Sequence, residues 1–223
     1  MSSDPVFGDP STGEADAQLR ASNQIPLVHR VYRILGARFR LKRVRDFLND
    51  FNVTPGTRIL DVGGTQTFWK GVPVNVTTVN LDPSNADRVA DARCLPFADG
   101  SFDIVFSNSL IEHVGTFEDQ EACAREIRRV GIRYYAQTPN RHFPVEPHYI
   151  APFIHWFPVA WRRYLARLTP WAILTHPSPE QIEDFINSIR LLSIVEMRRL
   201  FPDAQLRCER FCGLAKSIIA ERR

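Results

Sequence analysis

Arg58-Ile59-Leu60-Asp61-Val62-Gly63-Gly64-Thr65 is a short apolar run that ends in two glycines. It reads as a buried strand entering a turn, where missing side chains let the backbone approach a ligand. The next apolar run, Val74 to Leu81, stops just before Asp82, 21 residues beyond Asp61. A carboxylate at the end of that second strand can accept both hydroxyls of an adenosine ribose. The pair points to a nucleoside cofactor. Asp61 narrows the choice, because an acid there sits near the non-ribose end of the ligand. A dinucleotide would present anionic pyrophosphate at that place, whereas S-adenosylmethionine presents a sulfonium and an ammonium, which a carboxylate attracts. Thr65 and Phe68 also stand where G-x-G-x-x-G would place its later glycines.

Outward from this segment, Asp103 to Ser107 and Ile132 to Thr138 are further strand candidates. Strands alternating with turns and helices predict a doubly wound α/β fold around a mostly parallel sheet. Phe117 to Val130, acidic at its start and basic at its end, suits the helix dipole and is one crossover helix. Ser178-Pro179-Glu180 supplies a cap and an N1 proline before the amphipathic positions Ile182, Phe185, Ile186 and Ile189. Ser193 and Glu196 form a capping box for another short helix. Gln205 to Phe211 and Leu214 to Ala220 read as two strands around Gly213, an antiparallel pair that closes the sheet.

Between the second and third strand candidates, Asp91 stands where a carboxylate can accept from an adenine amino group. The ordered set of Asp61-Val62-Gly63-Gly64, Asp82, Asp91 and Asp103 to Asn108 resembles the class I S-adenosylmethionine-dependent methyltransferases, in particular the single-domain type 11 group. The resemblance runs from about Arg58 to Tyr135. It implies a seven-stranded sheet with an antiparallel C-terminal strand and S-adenosylmethionine as cofactor. It also implies that the loop Asp61, Gly63, Gly64 and Thr65 wraps the methionine part, that Asp82 binds ribose and Asp91 lies by adenine. The strand ending at Asn108 would reach the methyl group. Thr65 and Thr67 depart from the family pattern by standing where glycines are usual. The Asn-Pro-Pro-Tyr signature of enzymes that methylate nucleic-acid amino groups is absent, since Ser107-Asn108-Ser109-Leu110 stands there.

The loop Thr138 to Tyr149 follows a strand's carboxyl end, where α/β sheets line their ligand crevices. Glu146 and His148 are its groups best able to orient or deprotonate a hydroxyl or amine, and His113 is a third candidate base. The bland alternatives are loop hydrogen bonding for Glu146 and His148 and simple packing for His113. His142, His148 and His155 lack regular ligand spacing, so no metal is expected. The acceptor is read as a small or saccharide-like molecule methylated on oxygen or nitrogen. The rivals are an NAD-linked oxidoreductase and a non-catalytic module of the same fold that binds a membrane or protein partner.

Composition limits the rest. The 223 residues carry 28 basic and 25 acidic side chains, too balanced to demand nucleic acid. Residues 1–24 are polar and read as a disordered tail, 25–53 as a basic helical extension, and 54–223 as the main domain with a helical insertion at about 153–175. Arg30, Arg33, Arg38, Arg40, Lys42, Arg43 and Arg45 stand in a stretch without acids, and the insertion combines arginines with aromatics. Attachment to an anionic membrane surface, RNA contact, or a helical lid with solvated arginines each account for this pattern. Cys208 and Cys212, four apart on a strand, would face the same way and pack. Lacking a membrane-length apolar run or a signal-like N-terminus, the chain is expected in the cytoplasm, soluble or peripheral at the membrane.

Overall fold

A computed structural model of the protein describes residue 39 and residues 41–84, 86–146 and 151–223. The tail assigned to 1–24, Arg30, Arg33, Arg38, Arg40 and His148 lie outside the described residues. Helix α1 covers 41–50. The following elements are β1 (Arg58–Val62), β2 (Asn75–Asn80), β3 (Arg88–Val89), β4 (Phe102–Asn108), α2 (Phe117–Val130) and β5 (Gly131–Pro139). A ribbon of β6 (Val145–Glu146) and β7 (Ala151–Pro152) leads to helices α3 (Val159–Ala166), α4 (Pro170–Thr175), α5 (Pro179–Asn187) and α6 (Ile194–Leu200). The hairpin β8 (Gln205–Phe211) and β9 (Leu214–Arg222) ends the chain order.

The seven-stranded sheet has the order β3-β2-β1-β4-β5-β9-β8. β1 to β5 are mutually parallel, and β9 enters antiparallel beside β5, as the sequence predicts. Cys212 and Gly213 form the two-residue turn between β8 and β9, with φ of 48° and 80°. Two successive positive φ values match the right-handed twist of a hairpin. Cys212 is therefore an exposed turn residue and not a strand partner of Cys208.

Apolar residues alternate sides but fill both faces, which is the mark of a sheet covered twice. Leu60, Val105, Tyr134 and Ile218 pack against Cys123 and Ile127 of α2 and Met197 and Leu200 of α6. Ile59, Ile104, Phe106, Tyr135 and Ile219 pack on the other face against Phe47 and Phe51 of α1 and against Trp69. The rings of Phe47 and Phe106 stand 4.7 Å apart and those of Phe106 and Tyr135 5.2 Å apart. Such pairs each add roughly 0.5–1.5 kcal/mol beyond their burial. The described part of the 25–53 segment, α1, thus packs directly on the sheet.

Arg43 is the polar counterpart of that packing. Its guanidinium donates to Glu209 Oε1 at 3.0 Å and Oε2 at 2.6 Å, to Asn108 Oδ1 at 3.1 Å, to Gln137 Oε1 at 2.9 Å and to Ser217 Oγ at 3.1 Å. Burial pushes the Glu209 carboxyl up, but hydrogen bonds and charge from Arg43 outweigh it and hold the group below its usual range. The sequence leaves Arg43 to a solvated, lipid-facing or RNA-facing surface; the structure instead encloses most of its side chain, because β4, β5, β8 and β9 present acceptors that need a donor. Replacing Arg43 by Met leaves the largely enclosed Glu209 carboxylate to Lys216, 3.8 Å away, at a cost of about 1.5–3 kcal/mol. The double variant Arg43→Met/Glu209→Met should regain most of this in urea unfolding; a single-variant loss below about 1 kcal/mol would refute the assignment.

Candidate functional site

The strand order reverses direction between β1 and β4, and a cleft of about 370 Å³ opens there at the carboxyl ends of β1, β2 and β4. Ligand crevices of open α/β sheets form at this switch point. Its wall includes Gly63, Asn80, Leu81, Asp91, Leu110 and His113. Gly63 has φ of 82°, and a Cβ on it would lie 2.6 Å from Leu110 Cδ1, so conformation and space both require glycine. A Cβ on Gly64 would lie 1.8 Å from Asp61 Oδ2. The second glycine is therefore needed because the Asp61 carboxylate folds against it. Asn80 braces the turn, its Nδ2 donating to Gly63 O at 3.3 Å and Gly64 O at 3.2 Å.

Gly63 and Asp91 line the cleft, and Gly64 forms the turn beneath it. Asp82 is not among the residues lining the cleft; it follows the wall residue Leu81, and its Oδ1 accepts from the Ser84 amide at 2.9 Å and hydroxyl at 2.7 Å. Asp91 also holds Arg93, whose guanidinium lies 2.6 Å away, and hydrogen bonds from Arg93 keep the carboxyl below its usual range. Thr65 stands at the N-cap position of the one-turn 3-10 helix Gln66–Trp69, with no side-chain capping bond, and does not join the wall. Asn108 departs from its expected place: it lies outside the cleft wall and gives its amide oxygen to Arg43. Asp61 lies under the turn, buried, and accepts from Trp69 Nε1 at 2.6 Å. Asn80 is the wall residue that sequence reading missed; its position before Leu81-Asp82 was the available signal.

A second cavity of about 310 Å³ involves Arg141, Glu146, His155, Arg162, Arg190 and Leu191. Glu146 is only 1% exposed. His155 Nε2 lies 2.9 Å from the Arg141 carbonyl oxygen, and burial lowers the imidazole's proton affinity. That carbonyl can only accept, so Nε2 carries the proton of the neutral ring. Between the cavities runs a buried network. Thr138 Oγ1 donates to Glu112 Oε2 at 2.9 Å, the Arg190 amide donates to Glu112 O at 2.7 Å, and Gln120 Nε2 donates to Ile111 O at 2.8 Å and Arg190 O at 2.9 Å. The structure thus separates two candidate bases, with His113 in the first cavity and Glu146 in the second. Among the described residues no cluster of three or more His, Cys, Asp or Glu could hold a metal ion.

The first cleft fits an adenosyl cofactor on three counts. Its floor cannot accept a Cβ at Gly63, Leu81 offers an exposed apolar surface, and Asp91 places a carboxylate in the wall. A family model described as a methyltransferase domain matches residues 62–133. The 2-methyl-6-phytyl-1,4-hydroquinone methyltransferase of Synechocystis sp. is 29% identical over 170 residues, covering 64% of this chain and 48% of the relative. The chain therefore spans about half the length of the curated relative it matches. The PH0226 protein of Pyrococcus horikoshii shares the fold at a TM-score of 0.51 and 15% identity, covering 83% of this chain and 90% of that one. A solved S-adenosylmethionine-dependent methyltransferase of Methanosarcina mazei aligns at a TM-score of 0.47 and 14% identity over 79% and 96%.

Burial pushes the Asp61 carboxyl up to about 7 from its ordinary value of 3.8, against the lowering effect of the Trp69 hydrogen bond. Between these values the folded state binds more protons than the unfolded state, so this group makes stability fall as pH rises from about 4 to 7, then level off. At about 1.4 kcal/mol per unit the full effect is on the order of 4 kcal/mol. Asp61→Asn should remove that slope and leave the ligand-free protein more stable than wild type at pH 8. Urea unfolding from pH 5 to 8 tests this, and parallel curves for the two proteins would overturn it.

Proposed function

We infer that the chain is a class I S-adenosylmethionine-dependent methyltransferase, supported by the methyltransferase-domain match over residues 62–133 and by the methyltransferase relative. The protein transfers a methyl group from S-adenosylmethionine to an oxygen or nitrogen of a small acceptor. The observation that carries this reading is the glycine-floored cleft at the switch point, with Asp91 in its wall and Asp82 next in sequence to the wall residue Leu81. Bound there, the cofactor supplies a methyl already activated by a positive sulfur. The protein's own work is then to position the partners in line and to exclude water. Asp61, beneath the glycine turn, offers negative charge toward the cationic end of the ligand, which offsets the cost of its own burial.

The second cavity is the acceptor site in this reading. It adjoins the first across the Ile111–His113 turn, and its volume suits a small molecule. Glu146, Arg141 and His155 form a dense set of hydrogen-bonding groups, which supports a hydroxyl-rich, saccharide-like acceptor. Glu146 is placed to hold the acceptor hydroxyl or amine and to take its proton, and His113 can take that role from the cofactor side. His148, a third candidate, neighbours Glu146 in sequence.

Binding of S-adenosylhomocysteine tests the cofactor reading directly. At a hundredfold excess over Kd, stabilisation of about 2.7 kcal/mol should raise Tm by roughly 5–10 °C in a chain of this size. NAD should give no shift. Asp82→Ala should retain the fold and lose most of the response to S-adenosylhomocysteine. Absence of a wild-type shift sinks the enzyme reading in favour of a non-catalytic module, and near-normal affinity in Asp82→Ala sinks the ribose assignment.

A further inference from the structure

The insertion after β7 inverts the usual distribution of side chains. Its inward contacts are made mostly by small or aliphatic residues: Ala166, Ala151 and Ile154 pack with Ile182 and Ile186 of α5 in a satellite core. Its larger apolar residues point outward. Trp161 is 63% exposed, Tyr164 73%, Leu168 74% and Ile173 60%, and Trp156 and Phe157 are also exposed. The rings of Phe157 and Trp161 stack 6.5 Å apart at 19°, so part of the outer surface is already ordered as a flat aromatic face. Phe153, likewise exposed, holds a left-handed backbone at φ 61°, rare for a bulky residue and tolerated mainly where function demands it. Contiguous exposed apolar surface of this kind marks an interaction site.

Charge identifies the partner. From residue 147 to 179 the sequence has no Asp or Glu, yet it carries Arg162, Arg163 and Arg167. Arg163 is paired with Glu183 of α5. Among the described residues Arg162 and Arg167 form no ion pair, and Arg162 Nε donates only to the Phe157 carbonyl oxygen. Tryptophan and tyrosine with an apolar body and a polar tip, flanked by uncompensated arginines, match the interface of an anionic bilayer. No helix among the described residues is long and apolar enough to cross a membrane. The match is to the bilayer surface.

We propose that the outer face of the 153–175 insertion, centred on Trp161, Tyr164 and Leu168, docks the protein on an anionic phospholipid surface. Arg162 belongs both to this insertion and to the lining of the second cavity, so docking brings that cavity to the lipid. The proposal does not depend on the methyltransferase reading.

Co-sedimentation with vesicles of equal parts phosphatidylglycerol and phosphatidylcholine tests it. The wild-type chain should bind these vesicles at least tenfold better than pure phosphatidylcholine, and 0.5 M salt should weaken binding, by roughly the loss expected when surface charge is screened. Trp161→Ser/Tyr164→Ser/Leu168→Ser should keep the wild-type melting temperature and lose binding by about tenfold or more. Arg167→Glu, a milder change, should lose several-fold with the aromatic face intact. No wild-type binding overturns the proposal. So does undiminished binding by both variants, which would move the contact to another surface. A wild-type dimer that the triple variant converts to monomer in light scattering overturns it too, assigning the face to a second copy of the chain.

Discussion

The connections leaving β1 and β4 depart to opposite faces of the sheet. After β1 the chain passes Trp69, which packs with α1, and after β4 it enters α2, which packs on the far side. Neighbouring parallel strands whose continuations diverge leave a gap that neither connection can cover. Everything at the site follows from that gap. Its floor is backbone, so residues there must be small. Its rim is built from strand ends, so polar groups from distant parts of the chain converge on it. The glycine turn needs support from below, and Asp61, Trp69 and Asn80 supply it.

Charge is mixed in both cavities. Asp91 and its partner Arg93 stand in the wall of the first, and Glu146 lies among Arg141, Arg162 and Arg190 in the second, so the acid of each cavity has guanidiniums beside it. The peptide stretch between them is immobilised by Gln120, Glu112 and Thr138, and Arg190 is itself held by Gln120 Oε1 at 2.7 Å and Glu196 at 2.6 Å. Groups fixed in this way need little reorganisation when a ligand arrives, which is how a polar site gains strength in a low-dielectric setting.

Much of the frame is legible from local chemistry. β1 matches its apolar run, α2 starts at a Thr116–Asp119 capping box, α5 and α6 start at Ser178 and Ser193, and the final hairpin turns at its glycine. These signals lie within a few residues of one another. β3 escapes because two residues carry no periodicity, and the β6–β7 ribbon because prolines and polar residues make it read as loop. At the site, the glycines and Asp91 are legible by order along the chain. The burial of Arg43, the diversion of Asn108 and the Gln120–Arg190 bridge are not, since each is a bond between residues 65 or more apart in sequence. The same arginine reads alike on a solvated helix and inside a cluster of acceptors; only the returning strands distinguish the cases.

Arg43 has one more implication, for the order in which the chain acquires its structure. Its carboxylate partner lies 166 residues later and the Ser217 hydroxyl 174 residues later. On a growing chain, α1 emerges long before β8 and β9, and β9 also supplies Ile219 to the core beneath Phe47. Contacts of such separation close late and slowly. During synthesis the aromatic face of α1 therefore waits without the strand that completes its seat, a period in which nascent chains are open to wrong associations. Final docking of α1 is thus set by β9, which is translated long after it.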